Sequence, residues 1–594
     1  MEIVFPLITV GGMRHNPGTF TSFGYCAHGE GAFCQKVKIA PLVTCFAALF
    51  ALPVAVANYA HGVNGIVSSV HPLATQAGIN VLKDGGNAID AAFAVALMAG
   101  VVDGHDSGIG GGCFILIRRA NGEIFALDGR ESAPAAAKRD MFIRNGRADT
   151  NLSQNGALAV AIPGMLATFE TARRKFGTKP LAELIEPSAQ IAEKGFPIDF
   201  MFARALRRTE KALKTFEEAQ RILFRPDGSP LVEGDVLKQP DLAKSYRAIA
   251  SRGIDWFYKG EYAEAIDAWM KKNGGIITAA DFAEYQVKER KPLQTTYRDY
   301  TIVGFPPPSS GCVHIAQILN IIEGFPIASL SPVDRYHVLA EAMKFAFADR
   351  SHWLGDPGFV RVPIGIVDKA YARGITAQIK MDRAADVPSH GVPPESDKRF
   401  FEQHTTHFCV VDSAGNWVSC TQTINTSFGS KVVIPGTGIL LNNEMDSFSI
   451  EPGVPNAYGM VGGDANAIEP RKRSVSSQCP TLILKDGNPI LATGGAGGPT
   501  IISQTVQNIV NVIDLGLRLD EALAKPRIHH QWQPNEIRVE KDVPQEIRQG
   551  LAQRGHKISE ETIISVSHMA GRAPNGKTLV GASDPRAGGM ALGF

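Results

Sequence analysis

The chain has 594 residues, enough to bury a sizeable core in two or more ordinary domains or in one large layered one. Lys+Arg 60 against Asp+Glu 59 leaves a formal net charge of +1, which removes the electrostatic case for nucleic acid or an anionic membrane surface as a partner. A small uncharged or zwitterionic substrate is the simpler expectation.

Residues 39–57 form the only strongly apolar run, preceded by Lys36 and Lys38 and closed by Ala55-Val56-Ala57. That is the charge, core and small-residue pattern of a secretory signal, so residues 1–57 are expected to be a leader cut near Ala57. An uncleaved anchor is the competing reading, the run being borderline in length, and Pro53 near its end favours the signal. The mature product is then exported, to the periplasm or outside the cell, with no stable membrane span. It keeps Cys113, Cys312, Cys409, Cys420 and Cys479, an odd number without a CxxC pair, so disulfides are permitted but not demanded.

Helices are predicted over 71–83 and 87–102, parted by Asp84-Gly85-Gly86. The second is apolar on all sides and is expected to be buried. After Asp103-Gly104-His105-Asp106-Ser107 comes a glycine-rich turn, 108–112, then strands 113–118 and 124–128 around Ala120-Asn121-Gly122. Between 197 and 352 the pattern is mostly helical (206–223, 261–273, 334–352) and reads as an elaboration outside the chemical core. Residues 385–404, with Pro388, Pro393 and Pro394, read as an exposed loop. Two more hairpins follow, 406–423 and 481–493, then the run Gly494-Gly495-Ala496-Gly497-Gly498 and an amphipathic helix through Ile501, Val506, Ile509 and Ile513. Hairpins interleaved with buried helices imply antiparallel sheets with helices on their outer faces.

Thr405 stands where the loop meets the strand. An N-terminal Thr can act alone, because its own α-amine, with a reference pKa of about 7.7–8.0, reaches its hydroxyl and serves as general base at neutral pH. That amine exists only after the bond to His404 is cut, and the same hydroxyl could cut it by attacking the His404 carbonyl. Taken alone, a Thr-Thr pair opening a strand is better explained by β propensity. Gly497 and Gly498, ahead of a helix, read either as an oxyanion hole or as a tight strand-to-helix turn. Arg130, after a strand end, could grip a substrate carboxylate or make a surface ion pair. His404, His407 and His529-His530 lack carboxylate or cysteine partners at metal-binding spacing, so no metal is expected.

Together these residues resemble the γ-glutamyltranspeptidase (glutathione hydrolase) family of N-terminal nucleophile hydrolases. The likeness runs from about Val67 to Gly588 and is strongest in Thr405-Thr406-His407, Gly438-Ile439-Leu440-Leu441-Asn442-Asn443-Glu444-Met445-Asp446, Pro452-Gly453-Val454-Pro455-Asn456 and Arg473-Ser474-Val475-Ser476-Ser477. The resemblance implies an α+β fold, a four-layer αββα sandwich of antiparallel sheets with helices on both outer faces. It implies that Thr405 is the nucleophile and that self-cleavage after His404 yields a large fragment, 58–404, and a small catalytic one, 405–594, which stay together as a heterodimer. By the same resemblance Thr423 hydrogen-bonds the nucleophile and Gly497 and Gly498 form the oxyanion hole. Arg130, Ser476 and Ser477 hold the substrate α-carboxylate, Asn425 and Glu444 contact its α-amino end, and Tyr458 belongs to a lid loop. No cofactor is implied. The partners are a γ-glutamyl compound such as glutathione and an acceptor amino acid or peptide.

One position departs from the family. After Met445-Asp446 a second aspartate normally pairs with the glutamyl α-ammonium, and this chain has Ser447. Loss of the full charge is expected to weaken that contact by about 1–3 kcal/mol. A related acylase for glutaryl- or cephalosporin-type amides, which carry no α-amine, is therefore the alternative reading. The segment from Asp103 to Ser107 also departs from the family's more usual His-Pro version.

Overall fold

The computed structural model describes residues 59–394 and 406–594; the leader, the cut near Ala57 and the His404-Thr405 junction lie outside them. The period-two pattern of 406–423 makes two central strands, Thr406–Asp412 and Trp417–Thr423, paired in the register Thr406↔Gln422 to Val411↔Trp417. Each is flanked by a strand from before the junction: Gly65–Ser69 beside Thr406–Asp412, and Gly112–Arg118 beside Trp417–Thr423. With Met590–Gly593, Ile124–Gly129 and Lys288–Arg290 they complete a seven-stranded antiparallel sheet. The second seven-stranded sheet runs, in spatial order, Tyr59–Gly62, Leu579–Ser583, Val566–Arg572, Asn488–Ala496, Thr481–Lys485, Tyr300–Gly304 and Leu293–Tyr297.

Alternation along Thr406–Asp412 decides the layers. Phe408 and Val410 join the core beneath the helices Pro72–Lys83 and Ala88–Val102, while Cys409 and Val411 enter the core between the sheets. All four are fully buried, and each large apolar side chain so placed contributes roughly 1.5–3 kcal/mol relative to exposure. The far face of the second sheet is covered by Gly311–Ile322 and Thr500–Ile513. The result is the expected helix, sheet, sheet, helix sandwich.

Ala88–Val102 is buried along all fifteen residues, as its apolar circumference predicts, and a capping box between Asn87 and Asp90 satisfies its first amides. The two sheets approach closely where the second carries Gly494, since a Cβ there would sit 2.5 Å from the His407 ring. The five cysteines are all buried with free thiols.

Three expectations need correction. The helix 206–223 is two, Phe200–Leu213 and Glu217–Leu223, broken at residues 214–216, where Phe216 takes an extended backbone (φ −120°, ψ 106°) and packs half-buried against the core. The middle of the chain is not an elaboration: it supplies Lys288–Arg290, Leu293–Tyr297 and Tyr300–Gly304 to the sheets, and the buried helices Gly311–Ile322 and Pro332–Trp353. Short strands and helices buried on several faces lack the clean periodicity that reveals sheet membership. Finally, residues 385–394 are fastened and not simply exposed: Lys344 Nζ donates to Ala385 O at 2.8 Å and Trp353 Nε1 to Gly391 O at 3.1 Å.

Candidate active site

The strand that begins at Thr406, the residue bonded to Thr405, lies in the middle of its sheet. Thr405 and His404 themselves fall outside the described residues. Thr423 ends the neighbouring strand, 1% exposed, and its Oγ1 accepts a hydrogen bond from Asn425 N at 2.8 Å. Asn425 adopts φ 75°, a left-handed conformation that Asn tolerates better than most residues. Its Nδ2 donates to Asn443 O at 2.9 Å, while its buried Oδ1 accepts no hydrogen bond among the described residues. The Tyr458 hydroxyl donates to Asn425 O at 2.7 Å, tying the 458 loop to the same turn.

Arg130 follows the strand Ile124–Gly129 and is fully buried, which overturns the surface ion pair as its explanation. Its Nη2 donates to Glu444 Oε2 at 2.7 Å and to Ser474 Oγ at 2.8 Å, and its Nη1 lies 2.6 Å from Glu444 Oε1 and 3.1 Å from Glu131 Oε2. Burial alone would lower the guanidinium pKa, but the carboxylates of Glu444 and Glu131 outweigh it and the pKa is raised. Glu131 shows the opposite balance: burial, then the neighbouring Glu444 charge, push its carboxyl well above the usual range. Ser447 sits on the turn Glu444–Ser447, and its hydroxyl donates to Glu444 Oε2 at 2.7 Å. Asp446 does not replace the missing aspartate. It accepts instead from Ser153 Oγ at 2.7 Å and from Ala457 N at 3.0 Å, fastening the base of the 458 loop.

Ser476 and Ser477 are fully buried two and three residues beyond Ser474. Ser476 Oγ accepts from Gln478 N at 3.3 Å, and Ser477 Oγ has no hydrogen-bond partner among the described residues. Gly497 (φ 131°) and Gly498 (φ 68°) both need positive φ, so the tight turn between Asn488–Ala496 and Thr500–Ile513 is real. The same turn opens a helix, where amides point outward from the positive end of the dipole.

Arg130, Glu444 and Ser447 thus form one cluster, and Asn425 and Tyr458 are tied to its edge through Asn443, the residue bonded to Glu444. Sequence reasoning assigned no part in it to Ser474, although it contacts the guanidinium twice, through Oγ and through its carbonyl at 3.2 Å. Its alternation with Ser476 was the available signal. Glu131 gives no such signal, adjacent charges being ordinary on a surface.

Two other clusters among the described residues have metal-like composition: His337, Glu341 and His556, and Asp103, His105 and Asp106. In the first, Lys344 Nζ already neutralises Glu341 at 2.7 Å and His337 Nδ1 is 2.8 Å from His556 Nε2. In the second, the two ring nitrogens of His105 address different carboxylates, Nδ1 at 3.5 Å from Asp103 and Nε2 at 3.7 Å from Asp106, an arrangement suited to ion pairing rather than to sharing one ion.

A family model described as gamma-glutamyltranspeptidase matches residues 74–594. The chain is 44% identical over 569 residues to a glutathione hydrolase proenzyme of Escherichia coli (strain K12), covering 93% of this chain and 98% of that protein. It is 39% identical over 545 residues to the acylase ACY 1 proenzyme of Pseudomonas sp. (strain SE83), covering 90% and 94%. Among solved structures, a cephalosporin acylase from Bacillus halodurans superposes with a TM-score of 0.81 at 30% identity, covering 90% of this chain and 97% of that one.

Proposed function

The chain belongs to the γ-glutamyltranspeptidase family, and from that membership we infer that it is a self-processing γ-glutamyltransferase and glutathione hydrolase. In maturation the Thr405 hydroxyl attacks the His404 carbonyl, the peptide C–N bond breaks, and water hydrolyses the resulting ester. This frees the α-amine of Thr405 and leaves fragments 58–404 and 405–594. Both sheets draw strands from both sides of the junction, which supports a heterodimer that holds together after the cut.

In turnover the α-amine takes the Thr405 hydroxyl proton as Oγ attacks the γ-amide carbon. The C–N bond breaks and the amine leaves with that proton. Water or an acceptor amine then attacks the ester, and Oγ recovers its hydrogen. The N–H groups of Gly497 and Gly498 would stabilise the developing oxyanion, and removing one such donor typically costs about 10²–10³-fold in rate.

The observation that carries the substrate reading is the buried Arg130–Glu444 pair. Opposite charges side by side match the carboxylate and ammonium of an α-amino acid, each of which can take over one member of the pair. Ser477 Oγ and Asn425 Oδ1 add a donor and an acceptor without partners among the described residues. Incubating the purified protein with glutathione, with and without an acceptor dipeptide, tests this: release of glutamate and of γ-glutamyl dipeptide is expected, and neither would appear if the reading is wrong.

Ser447 favours a second reading on the same chemistry, an acylase tolerant of substrates without an α-amine, in keeping with the likeness to a cephalosporin acylase. Export follows from the leader. No helix among the described residues is long and apolar enough to cross a membrane.

A further inference from the structure

The buried helix Ala88–Val102 and the strand Thr406–Asp412 are pinned together at both ends. Asp412 Oδ2 accepts from Ala88 N, the first residue of the helix, at 2.9 Å. At the other end Asp103, the helix C-cap, accepts through Oδ2 from Thr406 Oγ1, also at 2.9 Å. Fifteen helical residues span about 22 Å and seven strand residues about 23 Å, so the helix and strand are matched in length and run antiparallel. The second pin falls on the residue bonded to Thr405.

Asp103 is itself held from behind. His105 is 4% exposed, its Nδ1 faces Asp103 Oδ1 at 3.5 Å, and its Nε2 faces Asp106 Oδ2 at 3.7 Å. The 103–106 turn also grips the loop that follows Thr423. Asp106 O accepts from Ile424 N at 3.2 Å, His105 O from Phe428 N at 2.6 Å, and Asp106 Oδ1 from Ser427 Oγ at 3.1 Å. One short turn is therefore bonded to the residue after Thr405 and to the residues after Thr423.

We propose that Asp103 is a positioning residue for the N-terminal nucleophile: through Thr406 it sets the axial register of the strand entry, and through His105 and Asp106 it sets the Thr423 loop to the same reference. The proposal rests on Thr405 being the nucleophile. A neutral partner would suffice to hold a strand end, and a carboxylate at a helix C-terminus opposes the dipole, so its placement here costs stability. What the carboxylate adds is a hydrogen bond whose strength follows its charge. Burial raises the Asp103 carboxyl, to about 7, with His105 opposing and Asp106 and Asp199 adding. The charged and titratable groups facing His105 are Asp106, Asp103, Asp199 at the cap of Phe200–Leu213, and His71 at the cap of Pro72–Lys83. Near neutral pH Asp103 thus passes between a weaker and a stronger acceptor for Thr406.

The test uses the full chain with Thr406→Val, Thr406→Ser and Asp103→Asn, read by the rate of maturation and by kcat and KM on a γ-glutamyl anilide across pH. Thr406→Val is expected to mature more slowly and to lose about tenfold or more in kcat, with KM within about twofold, since small misplacements of a reacting group carry such costs. Thr406→Ser, which keeps the hydroxyl, restores both. Asp103→Asn is expected to flatten the neutral limb of the kcat profile, and the double variant Asp103→Asn/Thr406→Val to be no worse than Thr406→Val alone. A fall in melting temperature with kcat and its pH profile unchanged would overturn the positioning role, as would a rise in KM alone. If Thr405→Ala still turns over, the nucleophile assignment fails and this proposal with it. If Thr405→Ala is dead while Thr406→Val matures and turns over like the parent, only the positioning role fails.

Discussion

The Ser447 hydroxyl donates a hydrogen bond of 2.7 Å to Glu444 Oε2, the same oxygen that accepts from Arg130 Nη2. Ser447 therefore supports the carboxylate assigned to the substrate ammonium without adding charge of its own. Ser447→Asp is expected to lower KM for γ-glutamyl anilide by roughly tenfold and to leave glutaryl anilide unimproved, the gain of a charge-assisted over a neutral contact being about 1–2 kcal/mol. An unchanged ratio of kcat/KM between the two anilides would remove this position from the specificity argument.

Thr405→Ala is expected to run as a single chain on a denaturing gel and to show no turnover, because neither the hydroxyl for cleavage nor the freed amine exists. Two fragments of normal size in that variant would falsify self-processing by Thr405.

Replacing Arg130 should be costly for folding as well as for binding. Glu131 and Glu444 are both fully buried against the guanidinium, and removing one member of such a cluster leaves charge uncompensated. Arg130→Met is expected to cost about 3–5 kcal/mol in denaturant unfolding, and more at pH 8 than at pH 5, where protonation of Glu131, whose carboxyl burial already raises, relieves the loss. A cost under about 1 kcal/mol would mean the site relaxes to admit water.

Gly494 lets the two sheets meet beneath the entry of the Thr406 strand. A Cβ there would lie 2.5 Å from His407 Cε1 and 2.6 Å from its Nδ1. Gly494→Ala is expected to lose about 1–3 kcal/mol of stability, the usual range for overpacking, and to slow maturation. His407→Ala in the same chain should recover part of both, and failure of that rescue would place the strain elsewhere.

Acid should weaken the fold through buried neutral histidines. Burial lowers His314 to about 3, His530 to about 3 and His568 to about 4. Below the ordinary pKa near 6.5 the unfolded chain binds protons that these folded rings refuse, so stability falls as pH drops from about 6.5 toward 4. Each such ring contributes a slope of about 1.4 kcal/mol per pH unit. Denaturant midpoints between pH 7 and 5 measure it, and His568→Gln should reduce the slope by one ring's share.

The sequence by itself determined the local pieces. Alternation placed Thr406–Asp412 and Trp417–Thr423, an apolar circumference buried Ala88–Val102, and ordered motifs around Thr405 carried the family and its chemistry. These are one-dimensional signals, set by side-chain periodicity and by residues adjacent in the chain. What only the tertiary structure decided were relations across hundreds of residues: that Arg130 meets Glu444 and Ser474 in a buried cluster, that strands from the helical middle complete both sheets, and that Asp103 meets Thr406. The physical reason is the same in each case. A charge next to a charge in sequence reads as a solvated surface, and only the layers packed over Arg130 and His105 remove the water that would have screened them.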